Sequence, residues 1–192
     1  SPDRLFELAT DLVRLKVDII IGSTPGVRAA QHATTSIPII MCIADDAVKQ
    51  GFVSNLARPG GNITGVTPFL SVLAPKQVEL LGELVPNAAV IGMLVNPNFD
   101  AKTQARNAQE AARALGRQIY VVNASNERDL ERAFASLVQR GIRALIVGND
   151  AFFNSRRAQV VALAARHAIP AIYLFREFVA AGGLMSYAPS LV

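Results

Sequence analysis

The sequence predicts an α/β fold of two doubly wound parallel-sheet lobes, the first of them incomplete. Short apolar runs alternate with amphipathic segments along almost the whole chain. Most of these runs are continuous in Val, Ile and Leu rather than alternating with polar residues, which is typical of strands in a parallel sheet covered on both faces. One pattern of strand, glycine, polar pair, helix, Ile-Pro and strand also occurs twice, beginning at Val17 and at Ala144.

The repeat favours a duplication over a chance likeness between two βαβ units. Ile37-Pro38 in the first copy matches Ile169-Pro170 in the second, and Gly51 matches Gly182. Any two βαβ units share the general order of elements, but they do not need the same Ile-Pro and glycine positions. Two similar lobes, with a ligand in the cleft between them, are therefore expected.

Eight apolar runs, each bounded by turn-forming residues, are predicted to be strands: 17–22, 37–43, 62–67, 89–95, 118–123, 143–148, 169–174 and 183–187. The segments between them carry apolar residues at helical spacing. The predicted helices are a first one with a leucine stripe from Leu5 to Leu15, and then 75–85, 102–115, 127–140 and 155–168. The order of strands and helices favours a doubly wound sheet with right-handed crossovers.

Local signals predict where several helices begin and end. Asn126 and Asn154 each precede a helical segment and are predicted N-caps. Gly116 and Gly141 follow such segments and are predicted C-caps. Pro25 is expected at the first position of its helix, where its missing N–H has no partner to lose.

The predicted domain boundary follows the third strand. Residues 1–66 are expected to form a partial lobe one and residues 67–186 lobe two, with 67–71 and 184–186 as hinge crossings and 187–192 returning into lobe one. Lobe one has three predicted strands, whereas a sheet of this kind typically has about five. We therefore expect lobe one to expose apolar surface, which a second copy covers in a homodimer.

Composition narrows the class of protein. Hydrophobic residues make up 51% of the chain and charged residues 18%, so it can bury a core and is not disordered. The net charge of +4 comes from scattered basic residues without interleaved aromatics, so no nucleic-acid partner is expected. The single cysteine, Cys42, excludes an intramolecular disulfide and is predicted to be a small buried side chain.

Three segments carry a resemblance to a known family. They are Leu56–Gly65 (LARPGGNITG), Glu110–Gly116 (EAARALG) and Arg176–Tyr187 (REFVAAGGLMSY). Together they resemble the ABC-transporter substrate-binding proteins, which have the type I periplasmic binding-protein fold of two lobes joined by hinge strands. The resemblance implies a periplasmic or lipid-anchored extracytoplasmic protein without a cofactor, an ABC permease as partner, and relatives that bind aromatic amino acids such as tryptophan. Where the family has Asp-Pro-Val, this chain has Asp46-Ala47-Val48, so a ligand role for Asp46 depends on the shape of that turn.

Ligands of open α/β sheets bind beyond the carboxyl ends of the strands, which selects polar turns in this chain. Ser23 and Thr24 follow the first strand and suit either a carboxylate site or an ordinary N-cap. Asn96 follows the strand at 89–95 and is either a ligand-binding residue or part of a plain turn.

Two later turns complete the set of candidates. Asn149 and Asp150 follow the strand at 143–148, with Phe152 close behind. A carboxylate beside aromatic rings suits an ammonium group on an apolar solute, although Asp150 also suits a simple cap. Phe175 and Arg176 follow the strand at 169–174, and Arg176 is either a cleft residue or the partner of Glu177 in an ion pair.

No catalytic or metal-binding pattern accompanies these turns. The sequence has no phosphate-binding loop, dinucleotide fingerprint or nucleophile elbow, and no Cys/His/Asp spacing for a metal. His32 and His167 fall on separate predicted helices. The absence of these motifs favours a non-enzymatic protein. The resemblance implies a component of an ABC importer that binds a small zwitterionic solute, with an aromatic or branched amino acid as the candidate. The alternative is a ligand-sensing effector domain of a transcriptional regulator or receptor.

Overall fold

Two compact units, Ser1–Ser71 and Val72–Val192, make up the chain in the computed structural model. Residues 2–42, 46–67, 73–97 and 101–188 are described. The described residues form eight strands and eight helices, and each unit is built on its own parallel sheet. Of the predicted hinge and return segments, residues 68–71 and 189–192 lie outside the described residues, so those assignments stay predictions.

The first unit is a three-stranded parallel sheet with two helices. Its elements are α1 (Pro2–Arg14), β1 (Ile20–Gly22), α2 (Thr24–Ala33), β2 (Ile39–Cys42) and β3 (Ile63–Val66). The strands lie in the order β1-β2-β3, and Ile39 of β2 pairs with Ile20 on one side and Ile63 on the other. These three isoleucines pack with Val27 and Ala30 of α2 in one apolar core.

The opposite face of this sheet is apolar and exposed. Ile21 is 70% exposed and Val66 71% exposed. The apolar surface expected of the first unit is therefore present. Cys42 lies on the same face and is exposed, so the prediction that it is buried is wrong. Successive strand side chains point to opposite faces, and burial of Met41 therefore places Cys42 outside.

The second unit holds a five-stranded parallel sheet of order β5-β4-β6-β7-β8. Its elements are α3 (Ala74–Leu84), β4 (Val90–Val95), α4 (Ala101–Ala114), β5 (Gln118–Asn123), α5 (Glu127–Gln139), β6 (Leu145–Val147), α6 (Ala151–Ser155), α7 (Arg157–Arg166), β7 (Ala171–Tyr173), α8 (Arg176–Ala180) and β8 (Met185–Ser186).

Helices cover both faces of this second sheet, as its continuous apolar strands predict. On one face, Leu145 and Tyr173 of the sheet pack with Phe134 of α5 and with side chains of α7 and α8. On the other, Ile146 and Ile172 pack with residues of α3 and α4. All residues of β6 and β7 are buried, so neighbouring residues of these strands lie in two different cores.

Helix ends follow the local signals with two exceptions. Asn126 caps α5 by accepting a hydrogen bond from the Asp129 N–H at 3.0 Å, which confirms that prediction. Gly116 and Gly141 have φ of 66° and 67° and follow their helices as predicted. The predicted cap Asn154 is wrong, because it lies inside α6.

The two exceptions have local causes. The Asp150 side chain accepts a hydrogen bond from the Phe152 N–H and so begins α6 four residues before Asn154. The backbone then breaks at Arg156, with φ −108° and ψ 21°, before α7 begins. Pro25 is the second residue of α2 rather than the first, because the helix begins at Thr24.

Stability should fall at high pH because of Tyr173. This residue is buried against Phe178 at a ring-centroid distance of 4.7 Å, and burial raises the pKa of its phenol to about 12. An unfolded chain releases the same proton near pH 10, so between these values the folded state binds more protons and loses stability as pH rises. The loss should reach about 2–3 kcal/mol above the folded pKa, while the full contribution is present below pH 10.

Denaturant unfolding at about pH 9 and about pH 11.5 measures this loss. Tyr173→Phe has no phenol at this site, so its unfolding free energy should decline less between the two pH values. An equally steep decline in Tyr173→Phe would contradict this assignment.

Candidate functional site

The order of the strands places a candidate ligand-binding edge in the second unit. The chain runs from β4 to β5 on one side of β4 and then to β6 on the other side of β4. The direction in which successive strands are added therefore reverses between β4 and β6. At such a switch point the connections leave the two carboxyl ends on opposite faces and open a crevice. Asn96 follows β4, and Asn149 and Asp150 follow β6, so three predicted site residues lie at this point.

Asp150 is buried and oriented by two hydrogen bonds. It is 6% exposed, and its Oδ1 accepts from Asn96 Nδ2 at 2.9 Å and from the Phe152 N–H at 2.8 Å. Its second oxygen, Oδ2, has no hydrogen-bond partner among the described residues. No fully buried side-chain oxygen or nitrogen in that part of the chain lacks a partner, so Oδ2 reaches solvent. The switch point therefore presents one fixed carboxylate oxygen that is open to a donor.

Gln104 of α4 is a further candidate site residue, which the sequence analysis did not identify. Its Oε1 accepts from the Asn149 N–H at 2.8 Å, and its Nε2 donates to the Asn149 carbonyl at 3.0 Å. A signal was present in the sequence. Ala108, Ala111 and Ala112 form the buried face of α4, and Gln104 lies on the same face one turn before them. A polar side chain on a buried helix face indicates a specific hydrogen-bonding role.

Two aromatic side chains lie at the carboxyl edge of the same sheet. Phe152 is half-buried, packs against the core and has its ring centroid 5.6 Å from that of Phe153. Phe175 is also half-buried and immediately precedes α8. Arg176 and Glu177 are both exposed and form no ion pair with one another in the described structure. The ion-pair alternative for Arg176 is therefore not observed.

An open surface cavity of about 650 Å³ lies on one side of Phe152. Its lining includes Arg128 and Arg132 of α5, together with Arg156, whose Nε is 2.8 Å from Glu127 Oε1. Asp150 is not among the lining residues. This cavity is therefore distinct from the crevice at the switch point, although Phe152 borders it.

The candidates of the first unit lie at the carboxyl ends of β1 and β2. Ser23 is the exposed N-cap of α2 and makes no side-chain capping bond, while Thr24 begins the helix and is half-buried. Asp46 instead stabilises its own turn. Its Oδ1 accepts from the Val48 and Lys49 N–H groups at 3.2 and 3.1 Å, and the bond from the Lys49 N–H is the main cause that lowers the pKa of Asp46.

The two histidines have structural surroundings. His32 packs edge-on against Phe6 at 5.6 Å, and His167 ends α7 and stacks on Phe134 at 6.2 Å. Within the described ranges, no three His, Cys, Asp or Glu side chains form a group that suits a metal ion. Among the same residues, no helix has the length and apolar character needed to span a bilayer.

Sequence comparison decides the family. A family model described as ABC transporter substrate binding protein matches residues 1–190. The chain belongs to this family. It is a solute-binding family rather than an enzymatic one.

Relatives of the chain include a tyrosine-binding protein of Clostridioides difficile (strain R20291). The two are 33% identical over 179 residues, which cover 92% of this chain and 51% of the relative. A solved ABC domain from Streptococcus pneumonia in complex with L-Trp is 26% identical with a TM-score of 0.82, and the match covers 99% of this chain and 64% of that one. The chain thus spans about half the length of the curated relative that it matches.

The fold extends to more distant proteins. A leucine-binding protein from Thermotoga maritima has a TM-score of 0.69 at 13% identity, with 95% of this chain and 53% of that chain covered. At this identity the likeness shows the fold alone. The predicted type I periplasmic binding-protein fold, an α/β fold with parallel sheets, is confirmed.

Proposed function

We propose that this substrate-binding protein serves an ABC importer and binds a zwitterionic amino acid with an aromatic or other apolar side chain. The observation that carries the proposal is the buried Asp150 carboxylate, which Asn96 and the Phe152 N–H orient while Oδ2 stays open to solvent. Such an oxygen suits the ammonium group of a solute. A hydrogen bond to a charged group contributes roughly 1.5–3 kcal/mol.

The neighbouring side chains suit the rest of such a solute. Phe152 and Phe175 offer half-buried aromatic surface near the same edge of the sheet. Asn149 and Arg176 are proposed as further polar contacts there.

In the first unit, Ser23 and Thr24 are the proposed carboxylate-binding residues, because they lie at the start of α2 and the Ser23 hydroxyl makes no capping bond. Asp46 is a weaker candidate, since both of its oxygens already serve its own turn.

The relatives support an aromatic amino acid in particular. One relative is a tyrosine-binding protein, and the Streptococcus pneumonia domain was solved with L-Trp. We therefore propose L-tyrosine and L-tryptophan as first candidates, an ABC permease as partner and a place of action outside the cytoplasm. A homodimer through the exposed face around Ile21 and Val66 is also proposed, and light scattering over a range of concentrations would refute it by showing only monomer.

Calorimetry with a matched pair of solutes tests the proposed function. L-Tyrosine and 3-(4-hydroxyphenyl)propionate differ only by the amino group that Asp150 is proposed to bind. The protein should bind L-tyrosine at least about ten-fold more tightly, as expected for loss of a hydrogen bond to a charged group. Equal affinities for the two, or no affinity for any L-amino acid, would contradict the proposal.

A further inference from the structure

The segment that carries Asp150 is bound to the sheet by backbone hydrogen bonds only as far as Gly148. The last backbone bond of this part of the ladder joins the Gly148 N–H to the Leu94 carbonyl at 2.8 Å. Beyond it, the backbone of Asn149 bonds to the side chain of Gln104, which lies 45 residues earlier on α4. Gln104 thus continues the attachment of the turn past the end of the strand.

The two hydrogen bonds match the chemistry of a primary amide. A backbone N–H only donates and a carbonyl only accepts, so one side chain that satisfies both must present an acceptor and a donor. Glutamine does so with Oε1 and Nε2. Glutamate keeps the acceptor but places a second oxygen against the Asn149 carbonyl, and methionine has a similar length with neither group.

Gly148 permits this close approach. A Cβ at Gly148 would lie 2.9 Å from Gln104 Oε1 and 2.9 Å from the Leu94 carbonyl oxygen. Because backbone cannot move aside as a flexible side chain can, any larger residue would push the turn away from α4 and β4. The glycine and the glutamine therefore act together to hold one position of the turn.

We infer that Gln104 is a positioning residue, which fixes the Asn149–Asp150 turn so that Asp150 Oδ2 meets the amino group of the solute. The inference rests on the proposed function. Of the two hydrogen bonds to Asp150, the one from the Phe152 N–H comes from the same segment and moves with it, while the one from Asn96 comes from the residue that follows β4. Gln104 fixes the backbone of Asn149, and the two hydrogen bonds to Asp150 depend on the position of that backbone. Supporting hydrogen bonds orient residues that contact a ligand in the same way.

Amide hydrogen exchange tests the attachment without any solute. The Asn149 N–H donates to Gln104 Oε1, so its exchange should become about ten-fold faster or more in Gln104→Met. Gln109→Met on the exposed side of α4 is the matched control and should leave this exchange unchanged. Gln104→Glu, which keeps the acceptor, should give a smaller increase. Unchanged exchange in Gln104→Met would overturn the inference.

Calorimetry then tests the positioning of Asp150. Gln104→Met should bind L-tyrosine about five-fold or more weakly, while its affinity for 3-(4-hydroxyphenyl)propionate stays that of the unmodified protein. In an Asp150→Asn background the same substitution should have no further effect on L-tyrosine, because the contact that it positions is already lost.

The outcomes separate the two proposals. Equal losses for both solutes would indicate general damage to the site and overturn the positioning role. Faster exchange with unchanged L-tyrosine affinity would also overturn that role and leave the proposed function standing. If the unmodified protein fails to prefer L-tyrosine over its deaminated analogue, the proposed function fails and the positioning role fails with it, whereas the exchange result still decides whether Gln104 holds the turn.

Discussion

Gly65→Ala should unfold the first unit. Gly65 lies in β3 opposite Met41 of β2, with φ of 150°. A Cβ at this position would lie 2.1 Å from the Met41 carbonyl oxygen and 2.7 Å from the Met41 backbone nitrogen. The obstacle is backbone of a paired strand, so relief requires separation of the two strands. We expect the free energy of unfolding of the first unit to fall by about 3 kcal/mol or more. A three-stranded sheet with one exposed face should not stay folded after such a loss.

Circular dichroism during denaturant unfolding, with amide exchange to assign the loss to residues, measures this effect. The exchange of amides in β1 and β2 should accelerate, while those of β4 and β6 in the second unit should stay protected. Gly26→Ala is the matched control: a Cβ there meets no atom within 4 Å, and alanine favours the α2 helix by up to about 1 kcal/mol. If Gly65→Ala melts together with the unmodified protein, the close approach of β2 and β3 is not as described.

Asp150→Asn should abolish most of the affinity for L-tyrosine while leaving the fold intact. Asparagine retains an Oδ1 that accepts from Asn96 and from the Phe152 N–H, so the cap of α6 remains. It replaces the open oxygen with an NH₂ group, which carries no charge and repels an ammonium group. Loss of a hydrogen bond to a charged group costs roughly 1.5–3 kcal/mol, equivalent to about a ten- to hundred-fold weaker affinity.

Calorimetry of the variant and the unmodified protein decides this prediction. Asp150→Ala should weaken binding at least as much and should also lower stability by about 1 kcal/mol, because it removes the cap. Arg113→Ala, on the exposed side of α4, should change neither affinity nor stability appreciably. Unaltered L-tyrosine affinity in Asp150→Asn would remove this residue from the site.

Local sequence patterns predicted all the observed strands and several helix ends, but they did not predict α8 or the break between α6 and α7. All eight predicted strands contain an observed strand, and Asn126, Gly116 and Gly141 occupy the predicted helix ends. These features depend on a few consecutive residues, because an apolar run defines a strand and a capping residue defines a helix end within a short stretch of sequence. The error at Asn154 arose where two local signals competed, and the aspartate four residues earlier began the helix instead.

Burial was predictable only where both faces of a sheet are covered. The apolar strands β6 and β7 are buried throughout, as their composition suggests. The equally apolar β2 leaves Cys42 exposed, because the described residues cover only one face of its sheet. The hydropathy of a strand shows which of its side chains favour burial. Whether those side chains are buried depends on whether another segment packs against that face of the sheet.

The sequence by itself determined the class of fold, the family and the turns that carry polar side chains. Tertiary structure alone decided which of these turns meet. Asn96 and Asp150 are 54 residues apart and bond because strand order places β4 beside β6, and Gln104 reaches Asn149 across 45 residues because α4 packs against the same sheet. Helical and strand periodicity encode contacts between near neighbours in sequence, whereas the order of strands in a sheet is set by packing of the whole unit.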